Sequence, residues 1–183
     1  MNKAHPNRNY GKRAAIFGIM AATVYAVMVL ITLRNLQSIS GVLPFDMRPT
    51  GYSYADAQLL LERLGATGRQ YYLTRQLPLD IFYPPLLAYT LTSAFLWCGI
   101  VPASRGWIGF GIVLAWTAAL ADYCENIGIA ALLLQWPDIS TGLVTATSLA
   151  SMVKAGTTML AITVLLVVLA RTVWRRARSQ PAK

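Results

Sequence analysis

The chain has 183 residues, of which 56% are hydrophobic and 13% charged, and its formal net charge is +9. Soluble domains carry roughly 25% charged residues, so this composition is typical of a protein embedded in lipid, and the length predicts one domain over residues 1–183. Four of the sixteen Lys and Arg residues lie in 1–13 and five in 171–183. Basic ends that flank apolar segments follow the positive-inside rule, which argues against a nucleic-acid partner.

The residues that usually hold metals or carry redox chemistry are scarce in this sequence. Cys98 and Cys124 are far apart and lie in apolar segments, where a free thiol fills space as a small hydrophobe. The single histidine, His5, lies in the polar N-terminal segment. We therefore expect no metal site, no cofactor and no thiol redox centre.

The first predicted membrane span covers residues 14–33, which are uncharged. Twenty such residues are enough for a helix to cross a bilayer. A secretory signal has a shorter apolar core of about 7–15 residues, so we expect an uncleaved anchor, with cleavage near residues 38–40 as the alternative. Residues 1–13 are predicted to form a cytoplasmic tail without regular structure.

Residues 34–79 form the one long polar segment and are predicted to be an extracytoplasmic loop. Within it, Ser53 and Asp56 have the spacing of a capping box. Leucines continue at helical spacing to Leu64, and Gly65 is the type of residue that ends a helix. The pattern predicts a short amphipathic helix over about 54–64.

Three charged residues near the second span are candidates for head-group or helix-cap contacts. Arg69 and Arg75 lie among tyrosines in a second short helix predicted over 68–76, a mixture typical of a membrane surface. The second span is predicted over 80–101. Asp80 opens it, and an acid at the positive end of a helix dipole predicts an N-cap.

The last two spans are predicted over 107–135 and 143–170, before a second cytoplasmic tail at 171–183. Basic residues lie at both termini and at Arg105, whereas the turn near Asp138 has none, so both termini are predicted to be cytoplasmic. The predicted fold class is an all-α integral membrane protein with four transmembrane helices in an antiparallel bundle and one or two short amphipathic helices in the first loop. Its compact length and short connections suggest a bacterial inner membrane.

The third and fourth spans contain the charged residues that organise the chain. Asp122, Glu125 and Asn126 share one helix face within about 100°, and Lys154 lies among small and hydroxylated residues of the fourth span. Glu125 and Lys154 are each about 15 Å from the connecting turn, near the middle of a hydrocarbon core roughly 30 Å thick. We therefore expect Lys154 to meet the two acids in a buried cluster.

Ionisable groups at membrane depth are costly and often mark functional sites, which leaves three hypotheses. The first is a non-enzymatic accessory or assembly partner, in which the cluster fixes partner choice. The second is a proton- or cation-coupled small carrier that uses the same residues, although no inverted repeat is visible. The third is a membrane enzyme that acts on a lipid, with Glu125 or Asp122 as general acid. The expected partners are the lipid bilayer and, under the first hypothesis, another integral membrane protein.

Overall fold

The computed structural model describes residues 6–98 and 105–178, of which 91% are helical and none lies in a strand. Four segments are long and apolar enough to cross a membrane, which confirms the predicted number of apolar helices. The helices are α1 Pro6–Val27, α2 Leu33–Ser40, α3 Tyr54–Tyr71, α4 Leu77–Cys98, α5 Arg105–Gln135 and α6 Thr141–Arg178. Single π-helical turns, Met28–Thr32 and Tyr72–Gln76, join α1 to α2 and α3 to α4.

The first and last helices are longer than the predicted spans. α1 begins at Pro6, so helix replaces part of the irregular tail predicted over 1–13. α6 continues to Arg178, inside the predicted tail 171–183. Lys and Arg are good helix formers, so a helix can persist beyond its apolar part. His5 and the predicted end of the second span at residue 101 lie outside the described residues.

The predicted loop 34–79 is mostly helical. α2 carries the first helix to Ser40, where Gly41 ends it with a left-handed backbone at φ 71°. The capping box at the start of α3 is confirmed, since the Ser53 hydroxyl accepts a hydrogen bond from the Asp56 backbone N–H at 3.2 Å and the Asp56 carboxylate accepts one from the Ser53 backbone N–H at 2.9 Å. Within residues 34–79, only 41–53 connect helices without forming one, apart from a 3-10 turn at Phe45–Met47.

Gly65 kinks α3 instead of ending it. Its backbone angles, φ 59° and ψ −175°, are non-helical, yet the helix resumes and continues through Gln76 into α4. The second short helix predicted over 68–76 is therefore not a separate element. Residues 68–76 belong to the continuous helical segment that runs from α3 into α4, whereas the second span was predicted to begin at Asp80.

Helix α4 packs against α1 and α5, and α5 also packs against α6. Aromatic rings pack between α1 and α4 and between α4 and α5, and two glycines allow neighbouring side chains to approach closely. A Cβ on Gly111 would overlap the Phe95 ring, and one on Gly128 would overlap the Thr147 side chain. The ring pairs are Phe17–Tyr89 and Tyr25–Tyr83, each with centroids 5.5 Å apart, and Tyr89–Trp116 at 5.1 Å.

Two apolar cores are stacked along the bundle. The first lies at the end near residues 41–53 and includes Leu36, Phe45, Leu60, Tyr72, Ile129 and Val144. The second lies at the opposite end and includes Leu91, Phe95, Ile108, Leu114, Val164 and Val168. On α5, Asp122 and Glu125 fall between Ile129 of the first core and Leu114 of the second, so the predicted cluster lies in a polar layer between them.

Candidate functional site

The structure brings the four predicted cluster residues together where α5 packs on α6. Lys154 Nζ forms an ion pair with Glu125 and lies 3.4 Å from Asp122 Oδ1. Asn126 Nδ2 donates a hydrogen bond to the same Asp122 oxygen at 3.3 Å. Glu125 is completely buried, and Asp122 and Asn126 are nearly so. Lys154 therefore meets Glu125, as the distances from the connecting turn predict, and also reaches Asp122 about one helical turn deeper.

Ser151 completes the surroundings of Glu125. It lies one helical turn before Lys154 on α6, and its hydroxyl donates to Glu125 Oε1 at 2.5 Å. Hydrogen bonds to an ionised group are stronger than neutral ones. Glu125 is therefore bound through one oxygen by Ser151 and through the other by Lys154.

Asp80 belongs to the polar layer and does not cap a helix, contrary to the prediction. Because α3 continues into α4, the backbone before Asp80 is already helical and offers no open end to cap. The side chain is 2% exposed, and both its oxygens accept hydrogen bonds from Gln76 Nε2, at 3.1 and 3.0 Å. Asn126 Nδ2 also donates to the Asp80 backbone carbonyl at 3.3 Å, which links Asp80 to Asp122.

Of the two arginines predicted to contact head groups or caps, Arg69 binds a backbone carbonyl beside the kink in α3. Arg69 Nη1 donates to the Leu61 backbone carbonyl at 2.8 Å, next to the kink at Gly65. Its guanidinium also lies 5.8 Å from the Trp136 ring centroid. Arg75 is exposed. Neither arginine lines the cavity that adjoins the polar layer.

The loop at residues 41–53 folds over the polar layer. The Tyr72 hydroxyl donates to Asp46, and the Tyr52 backbone N–H donates to Ser148 Oγ at 2.8 Å. Gly51 permits this contact, because its φ is 85° and a Cβ would lie 2.7 Å from Ser148 Oγ. Burial, and then the charge of nearby Glu125, raise the pKa of the Tyr52 phenol, so that group stays a neutral hydroxyl.

The cavity beside the polar layer is partly enclosed and has a volume of about 560 Å³. Asp46, Asp80, Asp122 and Lys154 are its charged lining residues. The remaining wall is mostly apolar and comes from α1, α4, α5, α6 and the loop, with Tyr25, Met28, Leu87, Leu91, Ala115, Met159 and Ile162 among its members. Small-molecule sites usually have about 300–1,000 Å³, apolar walls and a few polar groups, and this cavity fits that description.

Sequence reasoning missed part of this arrangement. Gln76 and Asp80 are four residues apart, so they lie on one helix face, and that spacing could have revealed the pair. Asp46 lies in an irregular segment without periodicity, so no local signal points to it. The two cysteines also differ from each other, because Cys98 is buried but Cys124, which was predicted to fill the core, is exposed.

Within residues 6–98 and 105–178, no three His, Cys, Asp or Glu side chains are arranged to hold a metal ion. No known protein family, curated protein or solved structure matches this chain. The cluster and the cavity beside it are therefore the features from which a function can be inferred.

Proposed function

We propose that the protein is an integral membrane protein whose four apolar helices cross the bilayer as an antiparallel bundle. Large apolar side chains are exposed on every one of these helices. Examples are Ile19 at 68%, Phe82 at 61%, Ile127 at 71% and Met159 at 69%. Such surfaces are unusual on soluble monomers and suit contact with lipid.

We further propose that both termini are cytoplasmic and that the helical segment 34–79 starts on the other side. The Tyr54 hydroxyl donates to the Ile139 carbonyl at 3.3 Å, and Arg69 lies over Trp136. The first loop and the α5–α6 turn are therefore at one end, and the described basic residues Lys12, Arg13 and Arg171 belong to the opposite end. The positive-inside rule assigns that basic end to the cytoplasm, and we propose the bacterial inner membrane.

For the activity, the geometry favours a proton- or cation-coupled carrier of a small ligand. The supporting observation is the cavity, which begins under the loop at Asp46 and has Asp80, Asp122 and Lys154 on its wall. Beyond its deep end, the second apolar core fills the bundle. Ionisable groups in a midplane cavity that is closed towards one side fit one state of an alternating-access carrier.

The cluster also provides a route to coupling. Lys154 is shared between Glu125, which lies behind it, and Asp122, which lines the cavity. A cation or proton that binds Asp122 competes with Lys154 for this carboxylate. Lys154 then remains with Glu125 alone, so occupancy of the cavity changes the contact between α5 and α6.

Proteoliposomes with an imposed proton gradient and a pH-sensitive dye test this function. Addition of Na⁺ or K⁺ should dissipate the gradient faster with the protein than without it. Glu125→Gln should reduce the rate to that of protein-free liposomes, whereas Glu62→Gln, an exposed acid on α3, should not. Ion-dependent flux that Glu125→Gln leaves unchanged, in a correctly folded variant, would contradict the carrier.

An accessory or assembly role is the second candidate. The favouring observation is that Gly109 on α5 and Gly156 on α6 are exposed, with no atom within 4 Å of a Cβ placed on either. Such positions allow another helix to approach closely. Co-purification of a membrane partner in mild detergent, lost in Gly156→Leu, would support assembly. A chain that purifies alone and monodisperse would contradict it.

A further inference from the structure

The cavity wall carries more acidic than basic side chains. Three carboxylates, those of Asp46, Asp80 and Asp122, face the cavity with one ammonium group, Lys154. Lys154 is already paired with Glu125 and Asp122. In the part of the chain that the structure describes, neither Asp46 nor Asp80 has an ion-pair partner.

The hydrogen bonds of Asp46 and Asp80 do not supply a cationic partner. Asp80 accepts from the Gln76 amide and Asp46 from the Tyr72 hydroxyl, and both donors are neutral. The second oxygen of Asp46, Oδ1, is buried and accepts no hydrogen bond from the described residues. A buried carboxylate is costly unless a cation is paired with it, so a positively charged donor that enters the cavity would pair favourably with these two acids.

Away from the acids, the cavity wall is mostly apolar. Along α4 the lining runs from Asp80 to Leu91, which is about 16 Å at 1.5 Å per residue. Ala115 and Ile162 line the deep end together with Leu91, on the side of the second apolar core. The cavity is therefore acidic near the loop and apolar in its depth.

We propose that this cavity binds a primary amine carried on an alkyl chain or a similar apolar body. The ammonium group lies between Asp46 and Asp80, and the apolar part extends past Asp122 towards Leu91. This inference rests on the proposed function, because it takes the carrier's cavity to be the ligand site. An inorganic cation alone would leave the apolar depth unfilled, and an anionic amphiphile would face three carboxylates.

The decisive measurement is equilibrium binding of radiolabelled tetradecylamine to the full chain in nanodiscs of neutral phosphatidylcholine, with empty nanodiscs as background. Unlabelled tetradecylamine, tetradecanol and tetradecanoate serve as competitors of equal chain length. We expect the amine to compete at least about tenfold better than the alcohol, a ratio that corresponds to roughly 1.4 kcal/mol. Tetradecanoate should compete least well.

Two substitutions identify the groups that hold the amine. Asp80→Asn and Asp46→Asn should each weaken tetradecylamine binding at least about tenfold, and Glu62→Gln, which lies outside the cavity, should leave it unchanged. Asp46 lies in the loop between α2 and α3, so Asp46→Asn can still be measured if Asp80→Asn does not fold. Ala115→Leu, which fills the deep end, should weaken tetradecylamine far more than hexylamine.

Several results would overturn the proposal. Equal competition by tetradecanol would mean that no charge is recognised, and preference for tetradecanoate would make Lys154 the anchor of an anionic ligand. Undiminished amine binding by both folded Asp→Asn variants would also refute it. Amine binding without cation-dependent proton flux would refute the proposed carrier function but support the amine site. Cation-dependent proton flux without amine binding would refute the amine site but not the carrier function.

Discussion

Lys154 is shared between two buried acids, because its one ammonium group pairs with both Asp122 and Glu125. The Lys154 side chain is 22% exposed, and those of Asp122 and Glu125 are 8% and 1% exposed. Each charge in such a group depends on the others, since a buried ion without a partner is strongly destabilising. The pair Arg48–Asp56, at 3.3 Å with Asp56 47% exposed, is the solvent-facing counterpart.

Lys154→Met should therefore lower the free energy of unfolding by about 3–5 kcal/mol, the usual cost of breaking a buried ion pair. Arg48→Met should cost about 1 kcal/mol, as exposed pairs do. Reversible unfolding in mixed detergent micelles measures both. Adding Glu125→Gln to Lys154→Met should recover part of the loss, and equal losses for the two single variants would contradict the burial argument.

The sequence predicted the residues of the cluster but not all of its surroundings. Asp122, Glu125, Asn126 and Lys154 are polar groups in apolar segments, and helix geometry fixes their level relative to the turn. The position of Asp46 depends on Tyr72, which is distant in sequence. A local pattern cannot predict that contact.

At the level of elements, local signals located the break in the third helix but not the continuation of the helix beyond it. Gly65 was predicted to end the helix, and its backbone is indeed non-helical. Beyond the kink, Arg69 binds the Leu61 carbonyl and Tyr72 is buried in the first core, contacts that hold the resumed helix against the rest of the protein. Asp80 was misassigned for the same reason, since it was placed at a helix start that does not exist.

Gly65→Ala tests the kink. A residue with a Cβ is strained at φ 59° and ψ −175°, so the substitution should destabilise the protein by about 1–3 kcal/mol. Gly156→Ala is the matched control, because it lies in regular helix and should be neutral or stabilising by up to about 1 kcal/mol. No atom lies within 4 Å of a Cβ at either position, so packing does not distinguish them. Equal thermal stability of the two variants would mean that the kink is not strained.

For the whole molecule, hydropathy predicted the four apolar helices because each contains a long stretch of high mean hydropathy. The cavity could not be predicted in the same way. It exists because small residues such as Ala88, Ala115, Ala118 and Ala155 line the space that α1, α4, α5 and α6 enclose. Its volume depends on how all four helices are placed, and the pattern of any single helix does not contain that information.

The proposed orientation can be tested with single cysteines in a Cys98→Ser, Cys124→Ser variant. An impermeant maleimide added to intact cells should label Glu62→Cys and Asp138→Cys, because both lie at the end that we place outside. It should label Arg171→Cys only after the cells are permeabilised. All three native residues are exposed, so access to the thiol is not limited by packing. The reverse labelling pattern would invert the proposed topology.

The exposed thiol of Cys124 can carry a probe that reports on the polar layer while every residue of that layer stays unchanged. Cys124 directly precedes Glu125 on α5, yet Glu125 is completely buried whereas Cys124 faces outward. A solvatochromic dye attached there would be at the height of Lys154. Lipids brominated at known carbons quench such a dye according to its depth in the hydrocarbon. Their quenching would therefore measure the depth of the polar layer independently of any transport or binding assay.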